Sequence, residues 1–89
     1  MAQFTGMDVA AVRQLSTQMS AKADEIGQIA SQLTNSLQGA QWVGPDRERF
    51  LSEWQGQHVA ALNRVVEGLR AASQTANRNA QEQEAASNG

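Results

Sequence analysis

The spacing of the large apolar residues constrains this chain more than any other feature. In the first half they fall at Val12, Leu15, Met19, Ile26, Ile29 and Leu33, in steps of three, four, seven, three and four. That is the a/d rhythm of an α-helix with one face buried. Lys22 occupies the d position missing between Met19 and Ile26. There its aliphatic stem can cover apolar surface while the ammonium reaches water, or it can set register and partner choice. A second stripe, Val9, Ser16, Ala23, Ala30 and Leu37, runs beside the first. The apolar face is therefore wider than a two-stranded seam and suits a helix in a bundle, and the small Ala23 and Ala30 would let a neighbouring helix approach closely.

The punctuation sets the boundaries. Thr5 with Asp8 three residues on has the form of a capping box, so a helix is expected over about residues 8–38. Gly39 is suited to a left-handed cap. A turn is expected over 39–45, containing Trp42-Val43-Gly44, with the single proline, Pro45, at the first position of a second helix and Asp46 in its first turn. The second helix is expected over about 46–80 on the stripe Leu51, His58, Leu62, Val65, Leu69, Ala72 and Ala76, with Phe50, Trp54, Ala61 and Val66 beside it. Residues 81–89 read as a polar, frayed tail. The expected fold is all-α: one domain, 1–89, an antiparallel two-helix hairpin with a short connection.

Size then demands a partner. A chain of 89 residues is marginal as a monomer, and the usual supports are disulfides, metals or association. There is no cysteine and only one histidine, His58, so neither a disulfide nor a His/Cys metal site is expected. A hairpin covers one side of each stripe; a second hairpin completes a four-helix bundle by dimerisation. Val12, Leu15, Met19, Ile26, Ile29, Leu33, Leu62, Val65 and Leu69 are the expected core and dimer interface.

Other function classes find little support. The net charge is −2 and no basic cluster exists to neutralise a row of phosphates, so nucleic acid is not an expected partner. No run of about 18 apolar residues could span a bilayer. The N-terminal stretch lacks the basic and apolar segments of a cleaved signal peptide. No nucleophile constellation, paired carboxylates or Gly-rich phosphate loop is present, so neither enzymatic activity, nor a cofactor, nor a small-molecule substrate is expected. The charged run from Asp46 to Glu53 reads as a solvated helix start with pairs such as Arg49–Glu53, and Phe50 and Trp54 as core or interface residues.

Trp42-Val43-Gly44 at mid-chain, between helical segments in a chain of this length without cysteine, resembles the WXG100 family, the ESAT-6-like small helical-hairpin proteins of type VII (ESX-type) secretion. The resemblance covers essentially the whole chain. It implies folding in the cytoplasm, assembly as a homodimer or as a heterodimer with another WXG100-like protein, recognition by a membrane-bound secretion ATPase, and export without a cleaved signal peptide to the extracellular space or cell surface. It implies that Trp42 and Gly44 lie in a turn used in recognition, though Trp42 can equally pack the hairpin end and Gly44 simply permit the turn. The family's tail motif, Tyr-x-x-x-Asp/Glu, is only half present: its acid matches Glu84, while Ala80 stands where the tyrosine would be, and the chain has no tyrosine. The expected function is a small secreted protein-interaction module. The alternatives are an adaptor or chaperone for a larger effector, or a membrane-active effector after export.

Overall fold

The computed structural model describes residues 6–88, and the suggested cap at Thr5 lies outside them. These residues are all-helical, with no strand among them. Helix α1 (Val9–Gly39) is followed by a five-residue connection and a second arm built from α2 (Pro45–Glu53), a π-helical turn (Trp54–Val59) and α3 (Ala60–Asn88). The helical pairing predicted from the spacing is present; its ends and its rotational phase differ from expectation in ways that the side chains explain.

Asp8 itself is the N-cap of α1, its carboxylate accepting from the Ala11 amide at 3.0 Å. A short acidic side chain in extended backbone suits this position well, so the helix starts one residue later than expected. Gly39 is the last helical residue and not a left-handed cap. Ala40 ends the helix in extended backbone, its amide donating to the Leu37 carbonyl at 3.4 Å. Pro45 opens α2 at its first helical position, as expected, where its missing N–H costs nothing. The second arm does not stop near residue 80 but stays helical to Asn88. It continues because Ala80 is buried, Gln83 is half-buried and Glu84 pairs with Arg13 of α1 at 3.0 Å.

Four cross-arm contacts establish the antiparallel pairing. Arg13 meets Glu84 near the free ends, Ser16 meets Ser73, Asp24 meets Arg70, and Thr34 meets Trp54 near the connection. The Ser16 hydroxyl donates to the Ser73 carbonyl at 2.7 Å, the Ser73 hydroxyl donates to the Ser16 carbonyl at 2.7 Å, and the two oxygens lie 2.9 Å apart. Both serines are buried, so this reciprocal clasp fixes the register in a way that interchangeable alanines could not. The ion pairs are partly exposed and weak by comparison.

The seam itself is made of small residues. Ser16, Ala23 and Ala30 of α1 and Ser73 and Ala80 of α3 are the buried positions among the described residues. The secondary stripe of α1 thus faces the other arm, and the heptad of larger residues lies to one side. The same rotation applies to α3, where Val66 turns toward the seam and Val65 away. The molecule is a rod of 68 × 22 × 17 Å with a radius of gyration of 20.0 Å. A compact domain of this length would have a radius of about 12 Å.

The π turn sets the phase of the second arm. Its inward positions run Leu51, Trp54, Val59, Leu62, Val66, Leu69, Ser73, Ala76 and Ala80, alternating steps of three and four except for one step of five, from Trp54 to Val59. A turn with i→i+5 bonds absorbs one additional residue and returns the following helix to its original face. An unbroken α-helix would bring His58 inward, as the sequence reading had it. The π turn leaves His58 exposed and places Val59 against the seam.

Candidate interaction surface

The two sides of the hairpin differ chemically. On one side lie Arg13–Glu84, Asp24–Arg70 and a cleft lined by Thr17, Ser20 and Asn77. The other side is apolar. There Leu15, Met19 and Lys22 of α1 line a groove with Leu69 of α3. Toward the connection, Leu33, Leu37, Phe50 and Trp54 line a second, almost wholly apolar groove.

All nine expected core and interface residues lie in helices, and four of them, Leu15, Met19, Leu33 and Leu69, line these grooves. They divide into two sets. Val12, Met19, Ile26, Leu62 and Leu69 are half-buried at the margin of the hairpin seam. Leu15, Ile29, Leu33 and Val65 point outward, 45–51% exposed, and Phe50 is 43% exposed. The hairpin therefore uses its alanines and serines internally and presents its larger side chains externally. Lys22 lies among them, its ammonium 3.1 Å from Glu25, both side chains exposed.

The connection is a second feature. Gly44 has φ 131° and ψ 177°, a backbone conformation essentially restricted to glycine, and it directly precedes Pro45. Added side-chain bulk would meet nothing within 4 Å there, so the requirement for glycine is conformational. Trp42 packs on Phe50 with ring centroids 5.4 Å apart and planes tilted by 54°. Arg47 reaches back to the Gln38 carbonyl at 3.5 Å and pairs with Glu48 at 3.0 Å. Arg49 lies 3.9 Å from Asp46, and the expected Arg49–Glu53 pair is not among those formed. Trp42 is held by the turn yet partly open to solvent, and Val43 beside it is 95% exposed.

Trp54 is anchored more deeply. Its indole N–H donates to the Thr34 hydroxyl at 2.8 Å, and that hydroxyl donates to the Ala30 carbonyl at 2.8 Å. The ring of His58 lies 6.0 Å from it.

The third residue singled out for recognition is remote from the first two. Glu84 lies at the free end of the rod, tied to Arg13, whereas Trp42 and Gly44 lie at the connection. A single chain does not bring them together. Ala80, at the position matched to the family's tyrosine, is fully buried in the seam. The importance of Ser73 and Val59 was not read from the sequence. A polar residue at a seam position and a five-residue step are the signals that could have found them.

Among the described residues no group of three His, Cys, Asp or Glu side chains could hold a metal ion, and no helix is long and apolar enough to cross a membrane. Fold and surface together define an all-α hairpin with one uncovered apolar face. No protein family, curated protein or solved structure matches this chain.

Proposed function

We propose that this chain is a protein-interaction module that works as a dimer, its apolar face covered by a second helical hairpin in a four-helix bundle. The observation that carries the reading is the inversion of the core. The only buried apolar residues described are Ala23, Ala30 and Ala80, while Leu15, Ile29, Leu33, Val65 and Phe50 remain about half exposed along one side. Full burial of a residue of this size is worth about 1.5–3 kcal/mol, so each retains a gain of about 1 kcal/mol that only a partner can supply. The total surface supports the same reading: a folded monomer of 9.6 kDa exposes about 5,100 Å², and this chain exposes 6543 Å².

The biological setting we infer rests on the resemblance to WXG100 proteins. In that setting the dimer is folded in the cytoplasm and exported through type VII secretion, with the Trp42–Gly44 turn of one subunit near the tail of its partner and engaged by the membrane-bound ATPase. One observation favours the adaptor reading as the second choice. The tail's Glu84 is engaged by Arg13 and residue 80 is a buried alanine, so the aromatic half of the signal would come from a partner chain.

Light scattering after gel filtration, with circular dichroism on the same sample, tests the interaction reading. A helical species of about twice the chain mass is expected for a self-sufficient dimer, and substitution of Ile29 or Leu33 by Asp is expected to reduce it to a monomer. An assembly that survives both substitutions would refute this interface. Export is tested separately, by following the chain in the medium of a producing cell with and without a functional secretion ATPase.

A further inference from the structure

The hairpin end is held together differently from the seam. We propose that α2 and the connection form a single flap, hinged at Gly44 and at the π turn and latched by the Trp54–Thr34 hydrogen bond, which opens and closes while the seam between α1 and α3 stays shut. This inference does not depend on what covers the apolar face.

Burial is distributed unevenly along the rod. The buried positions among the described residues, Ser16, Ala23, Ala30, Ser73 and Ala80, belong to α1 and α3, and neither α2 nor the π turn holds one. Helix α1 packs along α3 and only sparsely against α2. The charges of α2 are paired within the helix itself, Arg47 with Glu48 and Arg49 with Asp46. The hydrogen bond that crosses from α2 to α1, from the Arg47 guanidinium to the Gln38 carbonyl, is long at 3.5 Å. A segment with little buried contact opens at a lower free energy than the body to which it is attached.

The flap moves as one body because Trp42 of the connection packs on Phe50 of α2. Its two ends are the places where the backbone departs from a regular helix. At one, Gly44, with φ 131°, directly precedes α2. At the other, the i→i+5 turn carries Gly56, and helices bend where such turns interrupt the regular ladder. One short polar bond holds the flap down, from the Trp54 indole N–H to the Thr34 hydroxyl at 2.8 Å, and it is partly buried. Trp54 is the first residue of the π turn, so breaking this bond frees the turn at its flap end. Opening separates Phe50 and Trp54 from Leu33, Leu37 and Ala40 of α1, the two walls of the apolar groove at the hairpin end. The position of the flap therefore sets the width of that groove, and apolar contact across it draws the flap closed.

Hydrogen exchange followed residue by residue by NMR tests this. Protection over residues 49–59 should be roughly tenfold or more below that over residues 66–76 of the same sample. Thr34→Val keeps the shape of the side chain but removes the hydroxyl, and should speed exchange over 49–59 roughly fivefold. Two glycine substitutions then separate flap from seam, since a methyl group at either Gly56 or Gly68 would meet nothing within 4 Å. Gly56→Ala narrows the freedom that the turn gains on opening and should slow exchange over 49–59 by about two- to fivefold. Gly68→Ala, within α3, should slow exchange over 66–76 by a similar factor and leave 49–59 unaltered, because α3 stays helical when the flap opens. Circular dichroism establishes that each variant remains helical. Equal protection in the two segments would overturn the flap, as would a Gly68→Ala chain in which both segments slow alike. Exchange over 49–59 that neither Thr34→Val nor Gly56→Ala alters would overturn the latch and the hinge.

Discussion

The Ser16–Ser73 clasp offers the sharpest test of how the two arms hold each other. Replacing Ser16 by Ala deletes its donation to the Ser73 carbonyl and the contact between the two hydroxyls, but leaves Ser73 donating to the Ser16 carbonyl. A buried hydrogen bond of this kind is worth about 1 kcal/mol net. Alanine also favours the helix over serine by up to about 0.5 kcal/mol, which works in the opposite direction. Ser52→Ala, at an exposed position of α2, measures that opposing contribution alone. For a domain of this size about 1 kcal/mol shifts the melting temperature by about 4–8 °C. Thermal melts followed by circular dichroism, at one fixed chain concentration because association moves the midpoint, should show Ser16→Ala and Ser73→Ala several degrees below Ser52→Ala. Buried variants that melt with the exposed control would refute the clasp.

Two further predictions follow from the connection and the seam. Gly44→Ala should destabilise the hairpin by about 1–3 kcal/mol through its backbone alone, whereas D-alanine introduced there by chemical synthesis, which accepts the mirror-image conformation, should melt near the unaltered chain; equal melts for both alanines would show that the glycine conformation is not required. Ala80→Tyr should lower the melting temperature because a fully buried small site would be overpacked at a cost of about 1–3 kcal/mol or more; an unchanged melt would place residue 80 outside the seam.

Much of this architecture was legible in the residues. The a/d spacing of α1 gave its helicity, and Gly44-Pro45 gave the break and the start of the second arm. Leu15, Ile29, Leu33 and Val65, expected with five others as core and dimer interface, lie outside the hairpin's own core. What could not be read was which of two adjacent stripes each arm would turn toward the other. Hydrophobicity alone favours the larger residues, and the expectation followed it. A long hairpin is governed by a different demand, because its arms must run side by side over several turns. The stripe of Ser16, Ala23 and Ala30 matching Ser73 and Ala80 allows that approach, and it displaces Leu15 and Ile29 to the outer face. The polar clasp was equally hidden, because a serine in a helical stripe carries no mark of what it will bond.

The π turn connects this internal seam to the surface proposed for partners. Without the additional residue, the segment before Trp54 and the segment after Val59 could not both keep the same face toward α1. A regular helix would then either bury His58 or rotate α2 away, carrying Phe50 and the Trp42 packed upon it off the apolar side. The hydrogen bond from Trp54 to Thr34 fixes the phase on the near side of the turn, and the Ser16–Ser73 clasp fixes it on the far side. The insertion is what lets both be satisfied together. Gly56 lies at the middle of the turn, where low intrinsic preference for a regular helix makes the departure less costly. The consequence is that Phe50 and Trp54 line an apolar groove with Leu33 and Leu37 of α1, so the surface proposed for a partner extends from the arms to the hairpin end.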